Sequence, residues 1–138
     1  MARQFLRQNN LHNVVGRIEY IRGDTGKQEH MMAYYSTMSD EDWKNLAQYN
    51  QERFKKNKKG FNKNKKCSAI EARELILHIP HEYANRDPHE LAKLVGDDWK
   101  KRFGTDCCLA IHWNKTKTNY HIHLIYSERV RENKVATR

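Results

Sequence analysis

Leu109-Ala-Ile-His-Trp-Asn-Lys-Thr-Lys-Thr-Asn-Tyr-His-Ile-His-Leu-Ile-Tyr126 reads as two strands joined by the polar loop Asn114 to Asn119. Both arms alternate with period two, the mark of strands that bury one face. On the first arm Leu109, Ile111 and Trp113 point one way, and Cys108, Ala110 and His112 the other. On the second arm Tyr120, Ile122, Leu124 and Tyr126 share a face, opposite to His121, His123 and Ile125. Antiparallel pairing of the arms puts His112, His121 and His123 on one side. Directly opposed residues sit about 5 Å apart at Cβ and i, i+2 neighbours about 7 Å. From there three imidazole nitrogens can converge on one divalent ion at about 2.1 Å. A three-histidine metal site is the first expectation; ordinary surface or core histidines are the plain alternative.

Upstream, Arg73-Glu-Leu-Ile-Leu-His-Ile-Pro80 reads as a strand ended by proline, with Leu75, Leu77 and Ile79 on one face and Glu74, Ile76 and His78 on the other. Asp87-Pro88 then opens a helix as N-cap and first residue. Leu91, Leu94, Val95, Trp99 and Phe103 form its apolar stripe and Gly104 stops it. Nearer the start, Leu11, Val14, Val15, Ile18 and Ile21 step by three and four, a helix capped by Asn13 and ended by Gly23 and Gly26. Met1–Asn10 is too polar to suggest a strand. His30–Thr37 fits a short strand or an irregular link. Ser39, followed by Asp42, caps a helix whose apolar side runs from Trp43 through Leu46 and Ala47 to about Phe54.

From Arg53 to Lys66 the composition changes: eight of these fourteen residues are Lys or Arg, interleaved with asparagines and with Phe54 and Phe61. Like charges repel, so residues 53–66 are expected to form a mobile basic loop, solvated or available to phosphates. In the second case Arg53, Lys55, Lys56, Lys58, Lys59, Lys63, Lys65 and Lys66 meet the backbone, and Phe61 stacks on an unpaired base.

A chain of 138 residues is expected to make one domain, residues 1–138. Its net charge of +9, from 26 Lys and Arg against 17 Asp and Glu, favours a polyanionic partner such as nucleic acid. No apolar run approaches the roughly 20 residues of a membrane span, and no secretory leader is evident. Cys67, Cys107 and Cys108 lack the spacing of a disulfide or zinc framework, so a reducing cytoplasm is the expected setting. Strands mixed with helices, and an antiparallel hairpin, indicate an α+β fold with helices packed on the faces of a central antiparallel sheet.

The block from Cys108 to Trp113 and from Asn119 to Arg129, with its Ala-Ile-His and His-Ile-His followed by Ser127-Glu128-Arg129, resembles the metal motif of the MobA/MobL plasmid mobilisation relaxases. These are HUH endonucleases, named for histidine–hydrophobe–histidine. His12–Ile21 resembles the family's nucleophile helix, in which a tyrosine follows an acidic residue, and Glu71–Pro80 resembles the strand before the metal hairpin. The resemblance implies that His112, His121 and His123 hold a divalent ion, with Mg²⁺ or Mn²⁺ in function and Zn²⁺ or Ni²⁺ in purified protein. It implies Tyr20 as nucleophile, in preference to Tyr34 or Tyr35, and Glu74 and Glu82 as acidic residues near the active site. The implied substrate is single-stranded DNA at an origin of transfer, with accessory mobilisation proteins and a type IV coupling protein as partners in the bacterial cytoplasm. Family members usually begin with a strand before the tyrosine helix and continue beyond the length of this chain, so a shortened DNA-clasping region is expected. Two other readings fit the same residues. One is a non-catalytic basic nucleic-acid-binding module. The other is an interaction domain with a structural zinc closed by a fourth ligand such as His78 or a cysteine.

Overall fold

A computed structural model describes residues 6–26, 30–57, 69–114 and 118–128. In chain order these form β1 (Leu6–Leu11), α1 (Val14–Arg22), β2 (Met31–Ser36), α2 (Asp40–Asn57) and β3 (Ala72–His78). A turn of 3₁₀ helix at His81–Tyr83, then α3 (Pro88–Phe103), β4 (Cys107–Trp113) and β5 (Tyr120–Tyr126) follow. The strands make one sheet in the order β1-β3-β5-β4-β2, every neighbouring pair antiparallel. The α+β expectation holds at this level, and the histidine hairpin β4–β5 occupies the middle of the sheet.

Alternation along that hairpin divides the core in two. Cys108, Ala110 and Ile125 pack under α1 and α2 against Val14, Ile18, Ile21, Trp43 and Leu46. Leu109, Ile111, Ile122 and Leu124 pack on the opposite side against Ala92 of α3. Because β4 is covered on both faces, it is buried from Cys107 to His112.

Local sequence sets the ends of the helices. Asn13 Oδ1 accepts from Gly16 N at the start of α1, and Gly23, at φ 90°, closes its end in the left-handed region that glycine enters without a Cβ clash. The first turn of α1 has no acidic residue of its own. Glu71 supplies one from elsewhere in the chain: its carboxylate accepts from Val14 N at 2.8 Å. Ser39 Oγ accepts from Asp42 N at the start of α2, and Asp87 Oδ1 from His89 N at the start of α3.

Three expectations need correction, and one open alternative is resolved. The polar segment before Leu11 does contain a strand, β1; it is an edge strand, paired only to β3, so it does not need two buried faces. Of the two readings of His30–Thr37 the strand holds: Met31–Ser36 supplies the opposite edge, β2, with an irregularity in register between Met31 and Ala33. The basic segment does not begin as a loop, because Arg53–Asn57 are the last turns of α2; Lys and Arg are good helix formers whose charge suits a helix C-terminus. The apolar side of α3 follows the expected stripe only in part: Leu91, Val95 and Trp99 pack against the core on the sheet. It buries the small residues Ala92 and Gly96, while Leu94 and Phe103 are exposed. Close approach of α3 to the sheet favours small residues, with the Tyr35 ring lying directly over Gly96.

Candidate metal centre

Sheet register brings the histidines together. His112 on β4 is directly opposite His121 on β5, and His123 is opposite Ala110, two residues along from His112. The ring centroids lie 5.6 Å apart for His112–His121, 4.7 Å for His112–His123 and 4.9 Å for His121–His123. One potential ligand nitrogen from each ring can be chosen so that all three lie within 4.8 Å of one another. His112 is 1% exposed, His123 8%, and His121 is half-buried, so the group opens to solvent on the His121 side.

Hydrogen bonds decide which nitrogen each ring can offer. His112 Nε2 lies 2.7 Å from the Ile21 carbonyl oxygen. A carbonyl only accepts, so Nε2 carries the proton and Nδ1 is the free lone pair. That Nδ1 is buried without a hydrogen-bond partner. Burial pushes His112 down to about 4, against the weaker upward pull of the Ile21 hydrogen bond, so the ring is neutral near pH 7. His123 Nδ1 donates to Glu74 Oε2 at 2.8 Å, and His121 Nδ1 faces the Asn119 carbonyl at 3.3 Å. Their Nε2 atoms are left 3.1 Å apart, a separation that suits two nitrogens sharing a proton or a cation. Burial, and then the neighbouring His123, lower His121 as well. An orphaned buried nitrogen on one ring, two facing lone pairs on its neighbours and second nitrogens anchored on oxygen acceptors are features of a metal-binding imidazole set. These three residues fit a divalent ion.

Behind His123 lies an acid–base chain. Glu74, 1% exposed on β3, also accepts from Arg17 Nε at 2.9 Å and Arg17 Nη2 at 3.2 Å. Burial would raise the Glu74 carboxyl, but the hydrogen bonds and charges of His123 and Arg17 outweigh it and hold the group below its ordinary value. Glu74 therefore reaches the centre through His123.

The tyrosines separate by position. Tyr20 is half-buried near the C-terminal end of α1, next to the Ile21 whose carbonyl holds His112, and its ring lies 5.0 Å from the Arg17 guanidinium carbon. Tyr34 packs under α1, its hydroxyl buried, and burial pushes its pKa up. Tyr35 faces α3 and donates to Asp97 at 2.5 Å. Tyr20 is thus connected to the centre through Arg17 and Glu74, whereas Tyr35 lies on the other face of the sheet. Glu82 is exposed in the 3₁₀ turn, and none of the hydrogen bonds of the histidine group reaches it. Arg53 and Lys55 sit in the last turns of α2, Arg53 half-buried and Lys55 exposed, and Lys56 follows on the same helix. Lys58, Lys59, Phe61, Lys63, Lys65 and Lys66 lie outside the described residues, as do Cys67 and Arg129.

Arg17 is the site residue that a linear reading passes over. Its one signal is a position three residues before Tyr20, which puts both on one side of a helix. Among the described residues the candidate ligand group holds no fourth member. His78 instead bonds Asn119 Oδ1, and Cys107 and Cys108 are free and buried. No helix among the described residues is long and apolar enough to cross a membrane. No protein-family model matches the chain, and no curated protein matches it significantly.

Proposed function

We propose that this chain is a DNA relaxase of the MobA/MobL type, in which Tyr20 exchanges one phosphodiester of single-stranded DNA for a phosphotyrosyl bond. One observation carries this reading: the helix that bears Tyr20 is fastened to the histidine centre at two points. Ile21 accepts from His112, and Arg17 reaches His123 through Glu74. A nucleophile and a metal site on opposite sides of a scissile phosphate need such a fixed relation.

In the proposed reaction Tyr20 Oη attacks phosphorus, and the bond from phosphorus to the 3′-oxygen breaks. The leaving oxygen takes the electron pair and a proton, leaving a free 3′-hydroxyl and a 5′-phosphotyrosyl bond. The phenolic proton passes to water. Two phosphodiesters of similar energy are exchanged, so the same groups can reseal the strand. A divalent ion held by His112, His121 and His123, Mg²⁺ or Mn²⁺ in function, would neutralise charge on the non-bridging phosphate oxygens. Glu74 and the Ile21 carbonyl keep the histidine rings oriented and their second nitrogens protonated, while Arg17 adds positive charge beside Tyr20. Three ligands on an open centre suit a substrate-binding ion better than a closed structural zinc.

Incubation of randomised single-stranded DNA with the protein and Mn²⁺ tests the proposal. A covalent adduct that survives SDS is expected from the wild-type chain and from Tyr34→Phe, and no adduct from Tyr20→Phe. An adduct retained by Tyr20→Phe would overturn the assignment.

A further inference from the structure

We infer that Arg17 is a positioning residue that couples the Tyr20 ring to the histidine centre, through its contacts with both Tyr20 and Glu74. Its consequence for strand transfer rests on the function proposed above; the coupling itself does not.

The guanidinium meets Glu74 along one edge, Nε to Oε1 and Nη2 to Oε2, so its plane is fixed by two bonds rather than one. Glu74 is buried and already holds His123 Nδ1, which leaves the carboxylate little freedom to follow a moving arginine. The same guanidinium lies 5.0 Å from the centre of the Tyr20 ring, within the range of a cation–π contact. Arg17 and Tyr20 are three residues apart on α1, on neighbouring positions of one helical side. A shift of His123 on metal binding is thereby passed to Glu74, to Arg17 and to the tyrosine ring. The side chain of Arg17 is 30% exposed, against 1% for Glu74, so the outer end of the link reaches solvent while its inner end is buried. Neither charge alone nor length alone satisfies these contacts. Lysine would keep the charge but lose the planar fork and the stack.

The test places 3-fluorotyrosine in place of Tyr20 alone and follows its ¹⁹F resonance as Zn²⁺ is added. In the otherwise unchanged chain the resonance is expected to shift with saturation of the histidine site. In Arg17→Ala and in Arg17→Lys the shift is expected to be lost, while Zn²⁺ still binds, with affinity lowered by about 10- to 100-fold. Arg17→Lys, which retains the charge, carries the test if Arg17→Ala does not fold. A full-sized ¹⁹F response in either variant would overturn the inference, and so would no response in the parent. Because this readout needs no DNA, it is independent of strand transfer. If the chain forms no DNA adduct at all, the proposed function fails while the coupling is still decided. If it does, the single-turnover rate of adduct formation at saturating Mn²⁺ is expected to fall about 10- to 100-fold in Arg17→Ala.

Discussion

The Ile21 carbonyl oxygen and His112 Nε2 lie 2.7 Å apart, joining the end of the tyrosine helix to a histidine 91 positions later in the chain. This bond fixes the tautomer of His112 and turns its Nδ1 into an unpartnered lone pair inside the protein. It also makes the position of α1 and the geometry of the centre a single problem.

Removal of the ligands should separate metal binding from folding. His121 is half-buried and only its ring atoms join the group, so His121→Ala is expected to lose stoichiometric Zn²⁺ or Co²⁺ in equilibrium dialysis and keep its helical and strand content by circular dichroism. Saturating metal should stabilise the wild-type chain by about 2–4 kcal/mol through mass action and leave the variant unmoved. EDTA should leave the metal-free wild type folded, because two hydrophobic clusters hold the sheet without the ion. Unfolding on chelation would instead favour a structural zinc.

Stability of the metal-free protein should fall between neutral pH and about pH 4. Burial keeps His112 neutral down to about 4, whereas in the unfolded chain it takes up its proton near 6.5. The unfolded state therefore binds more protons across that window, and stability drops as pH falls through it. The drop is on the order of 3 kcal/mol for His112, with His121, also lowered, acting in the same direction. Urea unfolding in EDTA at several pH values measures it; His112→Gln should flatten the slope. A wild-type stability constant across that range would contradict the burial of a neutral imidazole.

Glu74→Gln should be costly for a group with so small a volume change. The amide cannot balance Arg17, and because Arg17 is 30% exposed the cost is expected to fall below the roughly 3–5 kcal/mol of a fully buried ion pair. Metal affinity should fall by about 10-fold or more as His123 loses its anchor. Since Glu74 is held below its ordinary value of 4.5, its contribution is present above that value and is lost as pH falls through the lowered one. Isothermal titration with Zn²⁺ and urea unfolding, both near pH 7, read the two effects separately.

The hairpin was legible because both its strands lie in the middle of the sheet, where each face must be apolar except at the site itself. Residues His112, His121 and His123 stood out against that pattern. Edge strands carry no such pattern: Arg7, Gln8, Asn9 and Asn10 of β1 could be polar because only β3 pairs with them. The side of α3 was legible only in part, because periodicity follows large residues such as Leu91, Val95 and Trp99, while close packing on the sheet also selected Ala92 and Gly96. Arg17–Glu74 was invisible for another reason. The two are 57 positions apart, and nothing in the sequence near either one points to the other.

Gly96 offers a test of that close packing away from the centre. A Cβ there would lie 2.6 Å from Tyr35 Cδ2 and 3.3 Å from Leu109 Cδ2. Gly96→Ala gains helix propensity of up to about 1 kcal/mol, but displacing a packed aromatic ring costs about 1–3 kcal/mol. A net loss of stability in thermal unfolding is expected, with metal affinity unchanged because α3 lies on the opposite face. A variant more stable than the parent would mean that the ring moves freely.

The proposed strand transfer would leave Tyr20 joined to DNA. Mass spectrometry of the proteolysed adduct, formed with Mn²⁺ and single-stranded DNA labelled at its 3′ end, tests it most directly. The label is expected on the peptide that contains Tyr20, through a 5′-phosphate, and is expected to disappear in Tyr20→Phe and His121→Ala. A label on Tyr34 or Tyr35, or no adduct from a wild-type chain that has bound its metal, would contradict it.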